Sequence, residues 1–444
     1  MVWSYPQSGT QRAQAVGDGN NPRSSGSDSD LATLCGSTRP WFTMEAVGPM
    51  RKHPVYAPIA GFCMIGIGLC LCRYAYTPLI PALIEEGWVT KAGAGYISGF
   101  NCVGYLIGCL GGLFLPARVG IRRLLQISLA LAVIGQALSA WNLGFAYFAF
   151  ARAVTGMAGA SLVILTPSLV LEHVPENWKK VASGICFTGA GGAIVLVSLL
   201  LPFFSAVSVT AGWLFEAGVT LAFAVIAWPL THSAPTNASQ SDSGSLSPRG
   251  RRAGISLSLL GVAYFLASIG VTPHMLFLTD YLHRDLHVPM ATSSRLFSLV
   301  GLGSLIGAFS SGFIARLIGT PLSLVLNYIL GSFAVAMVLL TDSITLITIS
   351  AFLMGFFLFC CVTLSSIRTA EITGIEHHPR DWGILTLGFG SGLAVGSYGL
   401  SWILSFGASY YSLFVVAQAV LIVSLVLSLV LVLQTLSDST QRSS

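Results

Sequence analysis

Charge is what this chain has least of. Asp, Glu, Lys and Arg make up 9% of its 444 residues, against 54% hydrophobic ones. A soluble domain carries about 25% charged residues, so this composition excludes a water-facing globule and points to a membrane. Paired cysteine signals are also missing. Cys63, Cys70, Cys72, Cys102, Cys109, Cys186, Cys360 and Cys361 fall in apolar runs, Cys35 falls in a polar stretch, and no Cys-x-x-Cys occurs. That excludes a disulfide scaffold and a thiolate metal site. There is no Gly-x-Ser-x-Gly elbow, no nucleotide-cradling loop and no His/Asp cluster inside an apolar run. The chain is therefore expected not to be an enzyme, to need no cofactor or metal, and to draw energy from gradients rather than ATP. Residues 1–43 are polar, and no apolar core follows a basic start, so they are not a secretory signal.

Long apolar runs are what is present. A bilayer core needs about 20 apolar residues per helix. Runs of that kind fall at approximately 56–83, 93–115, 122–141, 144–171, 181–206, 212–230, 255–281, 291–315, 320–340, 344–368, 382–406 and 409–435. The reading is an all-α integral membrane protein with twelve transmembrane helices. Lys and Arg set its orientation. Lys91, Arg284 and Arg295 lie on one side, Arg73 and Arg152 lie within spans, and the rest of the 22 basic residues lie on the opposite side. Both termini are then cytoplasmic, in a multi-pass protein expected in the plasma membrane. The domain reading is a disordered tail at 1–54, a six-helix bundle at 55–230, a cytoplasmic linker at 231–254, a second bundle at 255–435 and a tail at 436–444. The linker's Asn237 sequon faces the cytoplasm and is expected unglycosylated. Its "SPRGRR" is a basic inner loop, not a nucleic-acid site.

The halves repeat. "VPENWKKVASG" (174–184) resembles "HPRDWGILTLG" (378–388), and "ARVG" (117–120) is echoed by "ARLIG" (315–319). Thr77-Pro78 has its counterpart in Thr272-Pro273, and Thr166-Pro167 adds a third such pair. Proline removes a helical hydrogen bond, and the freed carbonyls are tolerated where protein or cavity water satisfies them. Two pseudo-symmetric six-helix bundles facing each other across a midplane cavity fit this pattern.

Three motifs carry a family resemblance. "GGLFLPARVGIRRLL" is similar to the basic loop of the major facilitator superfamily, through Arg118, Gly120, Arg122 and Arg123, with Ala117 where the family has aspartate. "ARAVTGMAGA" matches an R-x-x-x-G-x-x-G element through Arg152, Gly156 and Gly159. "GICFTGAGGA" is similar to a glycine-rich antiporter signature through Gly184, Gly189, Gly191 and Gly192, with Ala190 replacing its proline. "CRYAYTPLIPAL" resembles the YbfB/YjiJ-like branch in particular. The resemblance implies the major facilitator fold and a secondary transporter working by alternating access. In that reading the loop residues and Gly184 and Gly189 serve gating.

The intramembrane polar residues suggest what is carried. Arg73 lies roughly 10–15 Å below the outer end of its span, Arg152 about 12 Å and His274 about 10 Å, at 1.5 Å per residue. A charge there costs at least about 2.5–3.5 kcal/mol to insert and must find water, a counter-charge or a ligand. Arg73, Tyr76, Arg152 and His274 are the expected substrate contacts, with a carboxylate on Arg73 as one reading and a structural pairing with freed carbonyls or Glu216 as the other. Glu216, His274 and Asp280 are the proton-coupling candidates. "DYLHRDLH" (280–287) lacks the context of a metal site. The expected solute is a small organic anion moved with protons by a monomer in the bilayer. The alternatives are proton-driven efflux of toxic or amphipathic compounds, and a non-transporting sensor on the same fold.

Overall fold

The computed structural model describes residues 56–175, 179–234 and 251–443. All lie within one unit, Val47–Ser444, while the unit Met1–Ala46 falls outside the described residues. So do the expected tail, the Asn237 sequon and most of the linker.

Every described element is helical. Among the described residues eleven helices are long and apolar enough to cross a membrane, and a bent pair completes twelve. The bent pair is α1, Tyr56–Leu71 and Tyr74–Glu85. Then come α2 (Lys91–Phe114), α3 (Ile121–Leu138), α4 (Phe145–Glu172), α5 (Lys179–Ser205) and α6 (Val209–Thr231). The second half holds α7 (Ala253–Arg284), α8 (Met290–Ile318), α9 (Thr320–Leu340), α10 (Ile344–Gly374), α11 (Arg380–Ser405) and α12 (Tyr410–Gln434). The outer faces of these helices are apolar. Phe309 is 81% exposed and Leu340 is 85% exposed, which only lipid makes tolerable.

In lipid, helices associate by close packing, not by escape from water. The two halves achieve this in the same way. A side chain on Gly104, Gly108 or Gly156 would collide with a backbone carbonyl across the α2–α4 seam: that of Ala153, Met157 or Asn101. Gly303, Gly307 and Gly355 do the same across α8–α10, against Phe352, Phe356 and Val300. The turns after α2 and α8 match as well. Gly120 stands at φ 85°, ψ 145° and Gly319 at φ 81°, ψ 148°, a left-handed conformation that glycine adopts without strain. The pseudo-symmetric pair of six-helix bundles expected from the repeats is therefore present.

Two boundaries differ from the sequence reading. The loop expected between α10 and α11 is helical throughout, apart from a single break at Gly374, φ 77°. Helix also continues through 436–443, where a tail was expected. Loss of apolar character ends a span but does not end a helix, and 436–443 holds no Gly or Pro to stop one.

The bundles are tied together at the end that carries Glu85. Thr77 donates to the Met275 carbonyl at 2.5 Å, and Thr279 donates to the Thr77 carbonyl at 2.7 Å. Ser294 donates to the Pro78 carbonyl at 3.0 Å, and His283 Nε2 meets Glu85 at 2.6 Å. Lys91 lies over the Tyr410 ring, 5.1 Å from its centre.

Candidate functional site

The site begins with the break in α1. Residues Gly66–Leu71 widen into a π-helical turn, Tyr74–Leu79 tighten into a 3₁₀ turn around Pro78, and the two parts meet at 45°. Proline cannot donate, so a regular helix cannot run through this stretch. Carbonyls on α1 next to the break must find other donors. Three neighbouring helices supply them. Gln136 on α3 donates to the Leu71 carbonyl. Asn101 on α2 donates to the Cys72 carbonyl at 2.8 Å, and Arg152 on α4 donates to it at 3.0 Å.

Arg152 is therefore part of the scaffold that holds the break open. Its Nη1 also donates to Gln136 Oε1 at 3.0 Å, and its guanidinium lies 5.4 Å from the Tyr76 ring and 5.1 Å from the Trp213 ring. Gln136 stands between this arginine and Glu216, donating to Glu216 Oε2 at 3.5 Å. Among the described residues the other carboxylate oxygen, Oε1, is buried without a partner. Tyr76 is not left for a ligand: its hydroxyl donates to the Ala94 carbonyl at 3.0 Å, and its ring stacks with Trp213.

Arg73, the next residue past the break, is placed quite differently. It is half-buried, and its φ −134°, ψ −68° are those of neither helix turn. Its guanidinium donates to Cys102 Sγ at 3.0 Å and lies over two rings, Tyr74 at 5.5 Å and Tyr105 at 5.2 Å. Among the described residues no carboxylate pairs with it. Cys102 in turn lies 3.9 Å from Ser397 Oγ on α11, so Arg73 is at the seam between the bundles.

His274 points into its own half. Ser350 Oγ donates to the Ala334 carbonyl at 2.6 Å, so toward His274 Nε2, 2.8 Å away, it must accept. The histidine proton is then on Nε2, and Nδ1 keeps a bare lone pair, buried without a partner. Asp280 has both oxygens engaged. Arg284 donates to one at 3.0 Å, and Tyr410 donates to the other. The structure thus brings Arg152, Tyr76 and Glu216 together, sets Arg73 one residue past the Cys72 carbonyl that Arg152 holds, and places His274 and Asp280 in the second bundle.

The loop residues form a separate cluster. Arg118 and Arg123 are exposed, and Arg122 bonds His232 Nδ1 at the end of α6. Gly189 lets α5 approach the Phe62 carbonyl of α1, while Gly184 faces open space. Gly191 meets the Gly301 carbonyl on α8, across the seam between the bundles. Cys102, as a partner of Arg73, and Gln136 escaped the sequence reading. A glutamine inside an apolar run was the signal that remained unread.

The comparisons with known proteins agree with this architecture. A crystal structure of the nucleoside transporter NupG matches with a TM-score of 0.67 at 11% identity, over 85% of this chain and 99% of that one. A bacterial homologue of the human lysosomal transporter Spinster, in an inward-facing and occupied conformation, matches with a TM-score of 0.65 at 16% identity. It covers 86% of this chain and 96% of that one. "Solute carrier family 22 member 7" of Sus scrofa is 31% identical over 103 residues, a stretch of 23% of this chain and 19% of that relative. The chain thus spans about a fifth of the length of that curated relative. A family described as the uncharacterised MFS-type transporter YbfB matches residues 64–429. A multi-pass, all-helical chain with that match, over most of its length and across both bundles, belongs to the YbfB family of major facilitator transporters.

Proposed function

We propose that the protein is a secondary active transporter of a small organic anion, with Arg73 as the group that holds the anionic end. The observation that carries this reading is the surroundings of Arg73: a cation at the bundle seam held by a thiol and two tyrosine faces, with no acid paired to it among the described residues. Cation–π contacts contribute about 0.5–2 kcal/mol each. Inserting the charge at mid-membrane costs at least about 2.5–3.5 kcal/mol. Those contacts offset the cost in part, and an incoming carboxylate adds the charge-assisted pair that is missing. Arg152 needs no such guest, because its partners already satisfy it.

Transport would proceed by alternating access: the ties at the Glu85 end part while the opposite end closes. With the positive-inside orientation, the Glu85 end faces outward and both termini are cytoplasmic, in the plasma membrane. Coupling to protons rests on two groups. Glu216 has one carboxylate oxygen with no partner, and His274 Nδ1 has a free lone pair. Each can take up a proton and gain a neutral or paired state as its bundle shifts. The transporter works as a monomer in this reading.

The test is uptake into liposomes holding the purified chain, under an imposed pH gradient, against a panel of carboxylates and hydrophobic cations. Saturable carboxylate uptake that rises with the gradient and is lost in Arg73→Gln is the expected result. Carboxylate affinity left intact in Arg73→Gln would refute the assignment, and accumulation of hydrophobic cations instead would favour the efflux alternative.

A further inference from the structure

Two rings of the first bundle lie on Arg73, the second bundle brings more of them close by, and they bear on what its anion is attached to. Tyr74 and Tyr105 lie against the guanidinium from the first bundle. From the second, Gly390 on α11 comes so close that a methyl group there would lie 3.5 Å from the Tyr105 ring. Its neighbour Phe389 stacks on Tyr264 of α7, with ring centres 4.4 Å apart and planes 29° from parallel. Tyr264 also lies against Trp382, at 5.9 Å. Phe389, Tyr264 and Trp382 thus form a file of rings beside α11, at the place where Gly390 meets Tyr105.

The hydroxyls are the second observation. Tyr74, Tyr105 and Tyr264 are 7%, 6% and 2% exposed. A buried phenol normally finds a hydrogen-bond partner, as Tyr76 and Tyr410 do here. Among the described residues these three find none, and since none of the three oxygens is fully buried, each reaches open space. Two tyrosines with idle hydroxyls beside one unpaired guanidinium, and a third on α7, leave polar work for a guest. Cys102 and Cys109 are the other titratable neighbours of Arg73, and among the described residues no second cation accompanies them. One cation matches one negative charge.

We propose that the site takes a planar aromatic monocarboxylate, its carboxylate on Arg73 and its ring against the Tyr105, Phe389 and Tyr264 file. This rests on the reading of Arg73 as an anion site. Flat rings pack edge-to-face or offset against such a file, whereas a saturated ring of equal size cannot present a π face to it.

The experiment compares matched acids on the full chain in liposomes: benzoate with cyclohexanecarboxylate, and phenylacetate with cyclohexylacetate. The aromatic member of each pair is expected to show a half-saturation concentration about tenfold lower. Phe389→Leu is expected to bring that ratio toward one, and Tyr264→Phe, which keeps the ring, is expected to retain it. Should either variant fail to fold, the wild-type ratio still decides, read also by thermal stabilisation of the detergent-solubilised protein. Equal half-saturation within each pair overturns the aromatic assignment and leaves the anion reading standing. Failure of every carboxylate to bind overturns both.

Discussion

Arg73 and Arg152 reach almost the same point of the chain, yet they face opposite fates. Arg152 donates to the carbonyl of Cys72 and to Gln136, is 1% exposed, and is enclosed by Tyr76 and Trp213. Removing it takes one of two donors from the Cys72 carbonyl, leaves Gln136 Oε1 without its donor and takes from Glu216 the cation that acts on it among the described residues. Breaking such a buried arrangement costs about 3–5 kcal/mol. Arg152→Ala is therefore expected to lower the melting temperature in detergent markedly, with or without substrate. Arg73 has no fixed acid to strand, so Arg73→Gln is expected to melt near the wild type. It should instead lose about 10- to 100-fold in affinity for a carboxylate, the loss of one charge-assisted contact. A melting temperature that falls for Arg73→Gln and holds for Arg152→Ala would reverse the two roles. Sequence marked both arginines as costly, because intramembrane charge always is. It could not show what sets them apart, since the deciding partners, Gln136 and Cys102, come from α3 and α2 and are adjacent only after the bundle packs.

Helices pack here on bare backbone. Gly104 would place a side chain 2.0 Å from the Ala153 carbonyl oxygen, and Gly303 would place one 2.0 Å from that of Phe352. Gly104→Leu and Gly303→Leu are expected to destabilise alike, by about 1–3 kcal/mol or more through overpacking. Paired melting curves of the two variants check both the size and the equivalence. The twelve spans were legible from apolar runs and basic loops because lipid imposes a fixed length on every crossing. The α1 break was legible from Thr77-Pro78, since proline acts on its own helix. The seams were legible only in part. Gly156 and Gly159 stood out in the motif of α4, but the match of Gly104 and Gly108 to Gly303 and Gly307 was not read, and neither was the partner helix. The continuous run through 369–381 was missed because one left-handed glycine, Gly374, absorbs a turn that sequence suggests needs a loop.

The two bundles share their seams but not their polar interiors. Offset by the same spacing as the glycines, Asn101, Gln136 and Arg152 correspond to Val300, Val335 and Ala351. The charge-bearing apparatus around α1 thus belongs to the first half, while the second contributes His274–Ser350 and the aromatic face of α11. What joins the halves at the Glu85 end is a short set of hydrogen bonds, several of them onto the carbonyls of Thr77 and Pro78. Those contacts must break for access to alternate. Replacing Glu85→Cys together with His283→Cys, 2.6 Å apart as side chains in the native pair, is expected to allow a crosslink that stops transport. Reduction should restore it, and undiminished flux through the crosslinked protein would show that this end does not open.

Backbone lying on backbone leaves no slack. With carbonyls pressed into the glycine notches of α2–α4 and α8–α10, each half has little give of its own, so whatever motion the protein makes is expected to fall at the joint between the halves.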